Sequence, residues 1–221
     1  MYSELVDQLR CLNVHAESWL VAAADVTDDR HIVRGVLGCP GCRAQYPIED
    51  GIADFTGGTR LPLALEPPAA ATAADDALVM KLAAMLDLTD ASGYVVLCGA
   101  WGRLAHALRD LVPVQVVVVN GPPDVSMGDG VSGIVTVDRI PLAGGSARGV
   151  AVDDGFGLAD DAARAAFARS AVAATRADGR VGGPAANPQL EGVETVAADE
   201  LHRVGTRAGG QPVLKLVRAP R

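Results

Sequence analysis

The chain has 221 residues, of which 49% are hydrophobic and 21% charged, enough for one ordinary globular domain and a small second one. Only 4% are aromatic, which favours a core of Ala, Val and Leu such as that of buried parallel strands. The formal net charge of −8 and the absence of basic runs interleaved with aromatic residues argue against nucleic acid as a partner.

The N-terminal residues 1–10 are polar and lack the apolar segment of a secretory signal. No apolar run approaches the roughly 20 residues that a membrane-spanning helix needs. We therefore expect a cytoplasmic protein without a membrane segment. In that reducing compartment the cysteines are expected to be thiols or metal ligands and not disulfides.

Three of the four cysteines lie within residues 1–58. Cys39 and Cys42 form a C-P-G-C knuckle, in which two thiolates three positions apart can bind one metal ion. A closed zinc site needs two further ligands, and Cys11 is the candidate for the third. A metal-free module with buried thiols is the alternative.

The fourth ligand is not given by a second C-x-x-C knuckle, because Val14 stands where its other cysteine would be. His15, one position further, is the preferred candidate. His31 is a weaker one, since it lies between the two expected knuckles.

The segment from Cys39 to Phe55 reads C-P-G-C-R-A-Q-Y-P-I-E-D-G-I-A-D-F. It resembles a bacterial zinc-ribbon family related to the small activator subunit of tRNA and protein methyltransferases, whose members read C-x-x-C and then Y-P-I-x-D-G-I-P-x-F. The sequence departs from that pattern at Ala53 and in a first knuckle that retains Cys11 alone. The resemblance implies a small zinc-ribbon-like β module, a structural zinc ion, and a protein partner bound through the module. Its small core is expected to consist of Tyr46, Ile48, Ile52 and Phe55.

Residues 59–75 are rich in proline and alanine and lack a periodic polar pattern. This composition is typical of a partly extended linker. The sequence therefore predicts a module at 1–58, a linker at 59–75 and a second domain at 76–221.

From residue 76 onward the patterns of helix and strand alternate. The predicted helices cover 77–88, 102–111, 160–176 and 198–204, and the predicted strands cover 94–98, 114–119, 133–137, 149–152, 180–183 and 212–217. The strands are almost entirely apolar, as strands covered on both faces are. Such alternation predicts right-handed crossovers and an α/β domain with a mostly parallel, Rossmann-like sheet.

The loop after the first of these strands reads C-G-A-W-G-R-L from Cys98 to Leu104. Glycines in such a loop allow the backbone to approach a nucleotide, and the following helix presents its N-terminus. The loop resembles the S-adenosylmethionine (SAM) loop of class I methyltransferases, often D-x-G-x-G-x-G-R-L. In that register Gly102 is the retained glycine, whereas Cys98 and Ala100 replace the other two. Trp101 either covers the adenosine or fills the pocket.

Two further segments resemble the same methyltransferases. Asn120 ends the second strand, where the family places the acid that binds the ribose hydroxyls; the alternative is that Asn120 and Gly121 form a turn. Asp138 begins D-R-I-P-L-A-G-G-S, which matches a family stretch whose first acid binds the adenine amine. The resemblance covers about residues 90–221 and implies a SAM site formed by Cys98, Gly99, Ala100, Trp101, Gly102, Asn120 and Asp138.

The sequence does not identify a catalytic residue. Asp153, Asp154 and Gly155 follow the fourth strand at the edge where such sheets bind ligands, although an acidic turn that caps the next helix is favoured. His106 and His202 are isolated and are expected to be structural. Neither a nucleophile elbow, nor a phosphate-binding P-loop, nor an H-E-x-x-H zinc motif is present.

Two functions remain in competition. The preferred one is a non-catalytic or weakly ligand-binding methyltransferase-like scaffold or partner protein, because two loop glycines and two acids of the family are replaced. The alternative is an active SAM-dependent methyltransferase on a small molecule or a macromolecule, since Gly99, Gly102 and Asp138 are present and methyl transfer can depend largely on positioning. Another nucleotide cofactor in the same crevice ranks last.

Overall fold

The computed structural model describes residues 1–58, 76–153, 161–186 and 189–209. The strands are β1 Val21–Asp28, β2 His31–Gly38, β3 Gln45–Glu49, β4 Ile52–Asp54, β5 Tyr94–Cys98, β6 Gln115–Val119, β7 Val131–Val135, β8 Ala147–Ala151, β9 Thr175–Pro184, β10 Val193–Ala198 and β11 His202–Arg207. The helices are α1 Asp76–Met85, α2 Ala105–Leu111 and α3 Asp161–Ala174, with 3₁₀ helices at Ser3–Gln8 and Gly99–Leu104. All strands belong to one sheet with the order β1-β2-β3-β4-β7-β6-β5-β8-β9-β11-β10.

The central strands of this sheet are parallel. β5 pairs with both β6 and β8, β6 pairs with β7, and β8 pairs with β9, all in parallel, whereas β11 lies antiparallel between β9 and β10. β5 and β6 are buried over four consecutive residues each, because helices or loops cover both faces. The predicted α/β class, with a mostly parallel, Rossmann-like sheet, is confirmed.

The N-terminal strands extend the same sheet. β1 to β4 form an antiparallel meander, and β4 then pairs in parallel with β7, so that Ile52 lies opposite Gly133. The core is shared, since Ile48 and Phe55 belong to the same buried cluster as Ile134. Residues 1–58 are thus a β module joined edge to edge to the larger sheet, and the linker predicted at 59–75 lies outside the described residues.

The helix predicted at 198–204 is wrong. β10 ends at Ala198 and β11 begins at His202, so the segment is a hairpin. Oδ1 of Asp199 accepts hydrogen bonds from the backbone N–H groups of Leu201 (2.9 Å) and His202 (2.8 Å), which fixes a turn and competes with a helix. The strand predicted at 212–217 lies outside the described residues.

The strand predicted at 94–98 is present with those bounds, and the other elements predicted within the described residues are present with shifted ends. The helix predicted at 160–176 ends at Ala174, and β9 begins at Thr175, five positions before the predicted strand at 180–183. The helix predicted at 102–111 is divided into the 3₁₀ helix Gly99–Leu104 and α2. Across the described part of the chain, every helix is too short or too polar to span a bilayer.

A buried arginine fixes the turn that leads from α1 into β5. The side chain of Arg148, at the start of β8, is only 5% exposed. Its guanidinium donates to the carbonyl and carboxylate oxygens of Asp90 at 3.0 and 2.7 Å, to the Asp87 carbonyl at 2.5 Å and to the Thr89 hydroxyl at 3.2 Å. One side chain thereby satisfies most of the polar groups of this turn.

Replacing Arg148 by methionine is expected to lower the free energy of unfolding by about 3 kcal/mol, because several charge-assisted hydrogen bonds are lost in a buried place. Chemical denaturation followed by circular dichroism measures the change. The matched variant Asp90→Asn should cost much less, since the Asp90 side chain is 60% exposed and its carbonyl contact persists. Equal losses of unfolding free energy in the two variants would contradict the role assigned to the Arg148 guanidinium.

Candidate functional site

The structure brings Cys11, His15, Cys39 and Cys42 together. One ligand atom from each residue lies within 4.8 Å of the others. Cys11 follows the isolated bridge between Arg10 and Trp19, and the other two cysteines belong to the turn after β2. This group of three thiols and one imidazole could hold a metal ion.

The distances within the cluster fit a tetrahedral ion. Sγ of Cys11 lies 3.6 Å from Sγ of Cys42, and Sγ of Cys39 lies 3.5 Å from Nε2 of His15. Zinc binds sulfur at about 2.3 Å and imidazole nitrogen at about 2.0–2.1 Å, so tetrahedral ligands are separated by about 3.5–3.8 Å. The two measured pairs therefore have the spacing of a closed four-ligand zinc site.

The surrounding groups favour thiolates at the knuckle. For Cys39, burial opposes ionisation, but hydrogen bonds from the Cys42 and Gly41 backbone N–H groups and the Ser18 hydroxyl lower its pKa to about 6. The pKa of Cys42 is lowered by the Ala44 backbone N–H. Because thiolates and not thiols bind metal ions, the knuckle is electrostatically prepared for a cation.

The neighbours of the cluster orient its other two ligands. Nδ1 of His15 donates to the carbonyl of Ala16 at 2.5 Å, which leaves the lone pair of Nε2 on the side of Cys39. Sγ of Cys11 lies 3.1 Å from the hydroxyl of Tyr46, and burial raises the pKa of the Cys11 thiol. His31 lies elsewhere, with Nε2 at 2.6 Å from the Met1 amino group.

The second candidate site is the crevice at the carboxyl ends of β5 and β8, where the strand order reverses and such sheets bind ligands. Trp101 fills it. The indole is 8% exposed, its N–H donates to the carbonyl of Val152 at 3.3 Å, and its ring centroid lies 5.3 Å from that of His202. The side chain thus crosses from the end of β5 over β8 to the start of β11.

The backbone N–H of Ala100, which would face a ligand, already has a hydrogen-bond partner. The N–H of Ala100 donates to Oδ2 of Asp153 at 2.9 Å, which ties the segment after β5 to the segment after β8. Asp153 therefore binds the 3₁₀ helix Gly99–Leu104. Asp154 and Gly155 lie outside the described residues.

The loop glycines serve packing. Gly99 has a φ of +58°, a conformation that favours glycine at this turn. A Cβ on Gly102 would lie 2.7 Å from Cγ1 of Val118, so the loop packs directly on β6. Cys98 is fully buried and part of the core. The cradle that glycines form around a phosphate or a nucleotide is closed here by protein atoms.

Asn120 and Asp138, the expected ribose and adenine contacts, differ in accessibility. Asn120 is 4% exposed, its Nδ2 donates to the Thr136 carbonyl at 2.9 Å, and its Oδ1 accepts from the Thr136 N–H at 2.8 Å. The Asn120 amide thereby links the ends of β6 and β7, and its φ of +50° is that of a turn residue. The Asp138 side chain is 47% exposed, with an oxygen 3.7 Å from Nε of Arg139.

The isolated histidines have partners that the sequence does not reveal. His106 lies with Nε2 at 2.9 Å from the carbonyl of Ser126 on the surface. Nδ1 of His202 lies 2.8 Å from Nζ of Lys81, which also binds Asp199 at 2.6 Å. Strand pairing thus places His202 beside α1, a contact that its position in the sequence does not reveal.

No protein-family model matches the chain, and no curated protein is detectably similar to it in sequence. Similar solved structures include the complex between the Haloferax volcanii Trm112 methyltransferase activator and a candidate methyltransferase (14% identity, 59% of this chain, 89% of that chain, TM-score 0.47). Another is a TehB-like SAM-dependent methyltransferase from Corynebacterium glutamicum (15% identity, 60% and 86%, TM-score 0.43).

A third is geranyl diphosphate C-methyltransferase from Streptomyces coelicolor A3(2) in complex with Mg²⁺, geranyl-S-thiolodiphosphate and S-adenosyl-L-homocysteine (13% identity, 48% of this chain, 42% of that chain, TM-score 0.39). The chain spans less than half the length of that enzyme. At such identities and TM-scores the likeness is one of fold, and it carries no statement about activity.

Proposed function

We propose that this chain is a non-catalytic methyltransferase-like protein that serves as a scaffold or partner of another protein. The observation that carries the proposal is the burial of Trp101 at the carboxyl ends of β5 and β8, where its indole N–H is bound to the Val152 carbonyl. A ligand that needs this crevice has to displace a buried indole.

The polar groups at the crevice support the same conclusion. The Ala100 N–H is bound to Asp153, and both ends of the Asn120 amide are bound to Thr136. A cofactor that recruited these groups would have to replace protein hydrogen bonds that already exist, so their net contribution to its binding would be small.

We assign a structural role to the metal cluster, with a zinc ion held by Cys11, His15, Cys39 and Cys42. Four protein ligands leave no open coordination position, so a bound zinc would stabilise the module and would not activate water. Large apolar side chains are exposed next to the cluster, namely Val14, Trp19 and Val21. Such a patch is suited to binding a partner protein through residues 1–58.

The second candidate is an active SAM-dependent methyltransferase. The observation that favours it is Asp138, which is half-exposed after β7, in the position that the family uses for the adenine amine. Under this candidate, Trp101 has to leave the crevice before the cofactor binds.

Isothermal titration with SAM and with S-adenosylhomocysteine distinguishes the two candidates. We expect no binding heat for either compound at millimolar concentration. A dissociation constant in the micromolar range or below would overturn the non-catalytic proposal. The chain used in the titration should show a cooperative thermal transition, so that an absent signal cannot come from unfolded protein.

A further inference from the structure

A groove outside the crevice lies between α3 and the face of β9, β11 and β10, with a volume of about 600 Å³. Val152 and Asp153 form its end near the carboxyl edge of the sheet, whereas Trp101 and Asn120 do not line it. Ligand pockets in proteins measure about 300–1,000 Å³. The groove therefore has the size of a small-molecule site.

The connection between β9 and β10, beside the groove, is short. β9 and β10 are each antiparallel to β11 and hence parallel to one another, and they are joined by residues 185–192. A crossover that carries a helix needs about a dozen residues or more. The connection is shorter than such a crossover, and its residues Gln189, Leu190 and Glu191 line the groove.

Small side chains on both walls keep the groove open. The residues of the three strands that line it are Val181, Gly182, Gly183, Pro184, Val193, Thr195, Arg203 and Gly205. From α3 a stripe at helical spacing faces it, and the stripe consists of Asp161, Arg164, Ala165, Ala168, Arg169 and Val172. Phe167 also lines the groove and, like Ala171, belongs to the buried core.

The charged side chains along the groove differ in their hydrogen-bond and ion-pair partners. Arg164 forms an ion pair with Asp161, and Nη2 of Arg203 donates to the Ala185 carbonyl at 3.1 Å. Among the described residues, Arg169 has no hydrogen bond or ion pair, although it lines the groove near its middle. Glu191, on the opposite wall, is exposed and equally lacks a partner within the described segments.

We propose that this groove binds a small amphiphile with an apolar body and one anionic head group. The body lies between α3 and the sheet, where Val172, Val181 and Val193 offer apolar contact. The head group binds the guanidinium of Arg169, which can pair with a carboxylate or a sulfonate through two parallel hydrogen bonds. Glu191 opposes an anion and thereby limits the affinity.

The probes are 1-anilinonaphthalene-8-sulfonate and dodecanoate. The full chain should give a saturable rise in probe fluorescence with a dissociation constant in the micromolar range, and dodecanoate should displace the probe. The neutral analogue dodecanol should compete about tenfold less well, because it lacks the charge that Arg169 recognises. Absence of saturable fluorescence, or equal competition by the two twelve-carbon compounds, would overturn the proposal.

Variants locate the site. Ala168→Phe fills the groove and should abolish probe binding, whereas Ala173→Phe, an exposed position on the same helix outside the groove, should not. Arg169→Gln should weaken dodecanoate about tenfold and leave dodecanol unchanged, and Glu191→Gln should strengthen dodecanoate. Arg176→Gln is the matched arginine control, since Arg176 is exposed and does not line the groove. Binding that persists in Ala168→Phe, or that falls equally in Arg169→Gln and Arg176→Gln, places the ligand elsewhere and refutes the assignment.

Discussion

Cys39→Ser is expected to release about one zinc ion per chain and to lower the free energy of unfolding by at least about 3 kcal/mol. Cys39 is 2% exposed and supplies the buried ligand of the cluster, so its loss leaves an incomplete site around a cation. Elemental analysis of protein purified without chelator measures the metal, and thermal denaturation measures the stability.

The effect on stability is expected to be concentrated in the N-terminal strands. Their own core is small, with Tyr46 stacked on Phe55 at 4.4 Å between ring centroids and Ile48 beside them. A β module of this size generally needs a metal ion or another staple in addition to its core. Amide hydrogen exchange in the variant should therefore increase most in β1 to β3 and less in β4, which pairs with β7.

Cys98→Ala is the matched control. Cys98 is also buried but lies at the end of β5, away from the metal cluster, so this variant should retain zinc. It should lose only about 1 kcal/mol from the removed sulfur. Wild-type protein that is free of metal and equally stable with or without added zinc would contradict the structural role assigned to the cluster.

Local patterns were sufficient to predict the central fold. The apolar runs at 94–98 and 114–119 are long enough for buried strands but too short for helices. The structure places them side by side as β5 and β6. The knuckle was also predictable, because Cys39 and Cys42 are close together in the chain, and only a few cysteines and histidines lie near enough in sequence to complete a site with them.

Features that depend on distant contacts were not predictable in this way. The pairing of β4 with β7 joins residues about eighty positions apart and leaves no periodic pattern. The one sign of this pairing in the sequence is Gly133, where a Cβ would lie 2.7 Å from Cγ1 of Ile52. A glycine within a strand is, however, equally typical of a bulge or of a nearby ligand. The hairpin at Asp199 was missed because a turn-forming aspartate and a helix cap look alike in sequence.

The position of Trp101 also depends on distant contacts. In the sequence, a tryptophan after a strand is compatible with two roles, because its side chain can cover a bound ligand or fill the place of the ligand. Its indole N–H donates to the carbonyl of Val152, which directly follows β8 and lies 51 positions away in the chain. Only the three-dimensional arrangement of β5, β8 and β11 decides between the two roles, and the role of the indole determines which function is favoured.

Trp101→Ala is expected to lower the free energy of unfolding by about 4 kcal/mol, because a large buried ring is replaced by a cavity and a hydrogen bond is lost. Trp101→Phe keeps an aromatic ring in the crevice and should lose only about 1.5 kcal/mol. Denaturant unfolding of the two variants measures the difference, and similar losses would show that the indole does not fill the crevice in solution.

The alanine variant also tests whether the indole alone blocks the crevice. Removing it leaves the Ala100 N–H bound to Asp153 and the Asn120 amide bound to Thr136, so the variant still lacks free groups to hold a nucleoside. Calorimetry with SAM is therefore expected to give no heat at millimolar concentration for Trp101→Ala, as for the parent chain. Micromolar binding gained by Trp101→Ala would mean that Asn120 and Ala100 can exchange their partners for a cofactor, and that Trp101 acts as a removable gate on a competent site.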